Sequence, residues 1–143
     1  MRLVSLERGD GRVSYGTTDG VTLRDAGAAL GDRWPDLVAV LAAGAVDTLD
    51  GAGAAVPLAS VRLVPPVPRP CRILCIGLNY LPHILETGRP RPEKPAIFTR
   101  DPASVVGHGA PLVRPQASTK FDSEGELAVI IGKPGRHIAP ADA

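Results

Sequence analysis

The chain opens with short runs in which apolar and polar residues are interleaved: "MRLVSLE", then "GDG" with the composition of a hairpin turn, then "RVSYG" and "GVTL". That pattern predicts strands up to about residue 23. The period then changes. In "WPDLVAVLAAGA" the apolar residues recur at helical spacing, Pro35 stands near the start, and the glycine-rich "DGAGAA" follows the end. Further on, "VPPVPRP" at 64–70 cannot be regular structure, and 11 of the 15 prolines lie between Pro65 and Pro115. A boundary placed there divides the chain into a small α+β N-terminal domain over 1–65 and a second unit over 71–143.

In the second unit "RILCIG" reads as a strand. Pro82 suits the first turn of a helix and Gly88 its end, so Pro82 to Thr87 is predicted to be a brief helix entered by a tight turn. A proline-rich loop, "RPRPEKP", carries Arg89, Arg91 and Lys94. "AIFTR", "APLVRP" and "GELAVIIG" are the next predicted strands, with "KPG" turning the chain at 133–135. The stretch "FDSEGELAVIIG" at 121–132 has an unusual pattern. As a strand it puts Asp122, Glu124 and Glu126 on one face with Ala128 and Ile130, and Leu127, Val129 and Ile131 on the other. A strand apolar on both faces is normally covered on both, so the carboxylates would stand at the edge of a dry region. Ionised groups are costly there unless something positive meets them, and a bound cation is one answer.

Composition narrows the partners. Lys plus Arg number 16 against 15 Asp plus Glu, a net charge of +1 that gives no long-range field for a polyanion, so nucleic acid is not expected. No window approaches a membrane span, and "MRLVSLERGDGR" has charges where a signal peptide needs an unbroken apolar core. A soluble, cytoplasmic protein is expected. Cys71 and Cys75 in "CRILCIG" would lie roughly 13 Å apart on one strand. That is too far for a disulfide, and both read as small buried hydrophobes.

The candidate chemistry lies on the short helix and the acidic stretch. His83 and Glu86 are three residues apart and share a helix face, and a carboxylate beside an imidazole fixes its tautomer and raises its basicity. Such a pair can activate water or move a proton. Glu124 and Glu126 supply oxygen ligands of the kind hard cations prefer. His108 in "VGHGAP" and His137 after "KPGR" have no second nitrogen or sulfur ligand near them in sequence and read as loop residues.

"ILCIGLNYLPHILETGRP", "PAIFTRDPASVVGHGAPLVRP" and "FDSEGELAVIIGKPGRHI" together resemble the fumarylacetoacetate hydrolase family of bacterial proteins. The likeness is close over 71–143, and residues 1 to about 65 resemble the small N-terminal domain that many members carry. The resemblance implies a mixed β-roll catalytic domain, incomplete here, in a protein that is a homodimer at full length. It also implies a divalent metal, magnesium above all with manganese or calcium as substitutes, that chelates a small keto-acid substrate. Carried over by position, His83 and Glu86 match the water-activating pair, and Glu124 and Glu126 match two metal ligands. The loop from Thr87 to Pro95 takes the place of the segment that closes over substrate. Tyr80 and Arg100 are the substrate-binding candidates, an exposed strand-end arginine being the alternative for Arg100.

The activity implied is metal-dependent hydrolysis or lysis of small keto acids: cleavage of acylpyruvates, decarboxylation of oxaloacetate, or hydration and isomerisation of related compounds. Two departures stand out. Ser123 occupies a position where the family usually has an aromatic residue, and the third carboxylate ligand, an Asp, falls beyond "HIAPADA", so the chain is expected to be truncated. Two other readings stay open. One is a binding or dimerising module, or a degraded gene product, without catalysis. The other is an unrelated small α+β protein whose Glu124 and Glu126 are merely exposed.

Overall fold

The computed structural model of the protein describes residues 1–68, 70 and 72–143. The interleaved N-terminal runs form an antiparallel meander of β1 (Arg2–Glu7), β2 (Val13–Thr18) and β3 (Thr22–Arg24). Two helices follow, α1 (Gly27–Leu30) and α2 (Leu37–Ala42), then the short strands β4 (Ala55–Pro57) and β5 (Arg62–Val64). The five strands make one antiparallel sheet in the order β4-β3-β2-β1-β5. The strands β4 and β5 and the helix α1 were not foreseen from sequence. Runs of three or four residues carry too few positions to display a period.

Helix α2 begins where its sequence directs. Asp36 is the N-cap, its side chain accepting a hydrogen bond from the Ala39 amide at 2.8 Å, with Pro35 just before it. Its buried residues, Leu37 and Val40, pack with Tyr15, Ala26, Trp34 and Leu49 into the core. The one polar atom that Tyr15 brings inside is satisfied, because its hydroxyl donates to the Trp34 carbonyl at 2.7 Å. Strand register places Leu3, Ser5 and Tyr15 on one face of the sheet and Leu6, Ser14 and Leu23 on the other.

The proline-rich stretch is held to this sheet, since the buried Ser5 hydroxyl donates to the Pro66 carbonyl at 2.8 Å. Gly107 also approaches β5. A Cβ at that position would run into the Leu63 carbonyl and the Val64 Cα, so no larger residue fits without moving the backbone.

Beyond that stretch, β6 (Ile73–Gly77), α3 (Leu81–Thr87) and β7 (Ala96–Arg100) form as the sequence predicts, with β6 and β7 paired antiparallel. Cys75 is half-buried on β6 opposite Phe98. Cys71 lies outside the described residues, so the reading of two cysteines on one strand is carried by Cys75 alone. "HIAPADA" ends in a single 3₁₀ turn, Pro140–Asp142.

Two predicted strands are absent. "APLVRP" and "GELAVIIG" have no ladder partner among the described residues, and 121–132 is exposed throughout, with Leu127 82%, Val129 76% and Ile131 80% accessible. Glu124 and Glu126 therefore do not stand at the edge of a dry region in this structure. The physical reason is that alternation records which faces a strand can bury, whereas the strand itself exists only by hydrogen bonding to a neighbour. The result is a mixed α/β chain of two sheets and few helices, α+β in its N-terminal half.

Candidate functional site

Helix α3 is positioned by the turn that leaves β6. Leu78, directly after Gly77, has φ 51°, in the left-handed region that a leucine occupies only under strain. Tyr80 is the extended N-cap residue at φ −105°, and Pro82 lies in the first turn, where its missing N–H costs nothing. At the other end Gly88 adopts φ 64° and donates its N–H to the Leu85 carbonyl, the helix stop read from the sequence. Ile84, 5% exposed, is the buried anchor, which leaves His83 and Glu86 on an accessible side.

His83 lies between two carboxylates. Its Nδ1 is 3.7 Å from Glu86 Oε2, and its Nε2 is 3.6 Å from Glu124 Oε1. The first contact is the pairing expected from spacing, and the second joins α3 to a segment 41 positions further along. Each contact is just outside hydrogen-bond reach. The side chains of Glu86 and Glu124 are 81% and 61% exposed, so the pairs contribute little to stability and their interest is chemical.

Tyr80 supplies a second link to the same segment, its phenol oxygen accepting a hydrogen bond from the Leu127 amide at 2.8 Å. No sequence signal marks this contact, because its partners are 47 residues apart and one of them is a backbone atom. Arg100 is not brought to the group. It pairs with Ile73 at the far end of the β6–β7 ladder, four residue rises or about 13 Å from Gly77. The loop after α3 lies against the β6–α3 turn. Arg91, Glu93 and Lys94 line a cleft of about 270 Å³ there with Leu78, Asn79 and Ile84.

Glu124 and Glu126 have the hard oxygen donors that suit a divalent cation, and Glu126 has no ion pair or hydrogen bond among the described residues. The donor chemistry fits, while the donor number falls short. Among the described residues no three His, Cys, Asp or Glu side chains come together to hold a metal.

The strongest charge cluster lies elsewhere. Arg8 donates to both Asp25 oxygens at 2.7 and 3.0 Å, and the Ser14 hydroxyl donates to Asp25 Oδ1 at 2.5 Å. Burial pushes the Asp25 carboxyl up, but the bonds from Arg8 and Ser14 outweigh it and hold the group below its ordinary range. A cleft of about 300 Å³ beside this cluster is lined entirely by residues 8–35, so it contains none of the candidate site residues.

Comparison with known proteins places residues 72–143 under the family profile described as fumarylacetoacetate (FAA) hydrolase, C-terminal. The chain is 42% identical over 87 residues to the human "Oxaloacetate tautomerase FAHD2A, mitochondrial", an alignment covering 61% of this chain and 28% of that protein. It is 44% identical over 91 residues to "Oxaloacetate tautomerase YisK" of Bacillus subtilis strain 168, covering 60% and 30%. A crystal structure of a putative HpcE protein from Mycobacterium smegmatis superposes with a TM-score of 0.61 at 32% identity, over 81% of this chain and 41% of that one. The chain thus spans well under half the length of each of these relatives.

Proposed function

The chain belongs to the fumarylacetoacetate hydrolase family, and from that premise we propose that its α3 site acts on small 2-keto acids, with oxaloacetate keto–enol interconversion the first reaction to test. The observation that carries this reading is His83 set between Glu86 and Glu124 at 3.7 and 3.6 Å. Tautomerisation needs one proton taken from the carbon beside the keto group and one delivered to its oxygen, with no co-reactant. With Glu124 committed to a bound cation, the Glu86 carboxylate facing Nδ1 would favour a proton on that nitrogen and leave His83 Nε2 as the acceptor for the first step.

Glu124 and Glu126 would hold a divalent cation, with a third ligand from outside the residues gathered here. Such a cation, when bound, stabilises negative charge on an enolate oxygen. The same His83–Glu86 pair can direct a water at a carbonyl carbon, so hydrolytic cleavage of acylpyruvates and decarboxylation of oxaloacetate belong in the same assay panel. Relatives named as oxaloacetate tautomerases support placing tautomerisation first.

The full-length protein is expected to accelerate loss of the oxaloacetate enol, and His83→Ala to slow it by about 100-fold or more, the usual share of a positioned acid–base group. Equal rates for His83→Ala and the unsubstituted protein would remove this assignment.

A further inference from the structure

We propose that Arg91 and Lys94 form a carboxylate subsite beside α3, which holds the second carboxylate of a dicarboxylic 2-keto acid and so selects it over a monocarboxylic one. This rests on the reading of α3 as a site for 2-keto acids. Both side chains line the cleft of about 270 Å³ against the β6–α3 turn. Among the described residues neither has an ion pair, not even with Glu93, which lines the same cleft. Two cations against one carboxylate leave the cleft positive, and a concave site of that sign attracts an anion.

The sequence prepares both cations for this task. Arg91 stands directly before Pro92, and Lys94 directly before Pro95. Proline steers the residue before it toward extended backbone and fixes its own φ, so the two side chains are carried on a loop with little freedom left to lose on binding. Arg91 offers a planar fork that matches a carboxylate, Lys94 a point charge, and Asn79 in the same cleft an amide donor. Leu81 and Ile84 give the cleft apolar surface for the carbons in between. Ile84 directly follows His83, so the cleft opens about 100° around the helix from the imidazole. A ligand that touches both must carry an anionic group beyond the one next to its keto carbon. Oxaloacetate does, and pyruvate does not. Every residue lining the cleft belongs to 76–95, so the subsite needs no metal and nothing from 121–132.

The test titrates succinate, a non-reacting dicarboxylate, into the full-length protein by calorimetry, and measures tautomerisation of oxaloacetate and of pyruvate by the same variants. Arg91→Gln is expected to weaken succinate binding about tenfold, and Glu93→Gln to tighten it about threefold by removing a like charge. Arg89→Gln, in the same loop but outside the cleft lining, should change neither. With oxaloacetate, Arg91→Gln should raise KM about tenfold and leave kcat unchanged, and with pyruvate it should alter neither. Succinate binding that is unchanged in Arg91→Gln, or weakened as much in Arg89→Gln, overturns the subsite. Equal losses on oxaloacetate and pyruvate overturn its selectivity for a second carboxylate. If His83→Ala keeps full activity while Arg91→Gln still weakens succinate, the 2-keto-acid reading falls, and the cleft stands as a site for a separate carboxylate.

Discussion

Asp25 shows how much one side chain can organise. It accepts from Arg8 Nε and Nη2, from Ser14 Oγ and from the Ala28 amide, tying the end of β1, the start of β2 and the start of α1 to one carboxylate. The ion pair is mostly shielded, with the two side chains 26% and 15% exposed. Because the folded pKa of Asp25 lies below its ordinary 3.8, its contribution to stability is fully present above that value and is lost as pH falls through it toward the folded pKa. Asp25→Asn is expected to cost about 1–2 kcal/mol at pH 7, the range for hydrogen bonds to a charged group after discounting for solvent. Urea unfolding should show that gap narrow as pH falls below 3.8, and a gap independent of pH would refute the assignment. Nothing in the local sequence singles out Asp25, because its partners are brought together by strand pairing. The pairing of His83 with Glu86 was legible from a helical spacing, whereas the meeting of His83 with Glu124 needed the fold.

At the scale of elements, the difference between what was legible and what was not follows the range of the interactions. The helix α2 announces itself by its apolar period, by Pro35 near its start and by the glycine-rich segment after it, and the structure shows that it buries Leu37 and Val40. Leu37→Ala should therefore cost about 2–5 kcal/mol by leaving a cavity among Tyr15, Trp34 and Val40, whereas Val38→Ala, at a position 43% exposed, should cost under about 0.5 kcal/mol. Thermal unfolding of the two variants checks the assignment, and similar losses would mean the helix is rotated from the position described. The strands β1, β2, β6 and β7 and the helix α3 were equally legible, since turn residues and alternation are local. "GELAVIIG" has the same local signal and no ladder, because pairing is a property of two segments and the sequence of one cannot supply it.

For the molecule as a whole, surface area measures how unevenly the chain is packed. A compact monomer of 14.9 kDa exposes about 7,000 Å², whereas this chain exposes 11267 Å². The excess lies in the second half, where Leu112, Val113, Leu127, Val129 and Ile131 are all more than half exposed, while the core residues all belong to the first 50 positions apart from Ile84. Apolar side chains in such numbers are covered in a stable protein, and the relatives this chain matches are more than twice its length. This uneven packing has a measurable consequence. In the 143-residue chain taken alone, trypsin should cut first after Lys120 and Arg136, which no ladder protects, and much later after Arg24 and Arg62, which lie in β3 and β5. In a longer form spanning the length of its relatives, those two sites should resist as strongly as Arg24 and Arg62 if that form gives 121–132 a sheet neighbour. Equal early cleavage in both forms would mean that 121–132 stays open in the working protein and that its carboxylates are held by the α3 contacts alone.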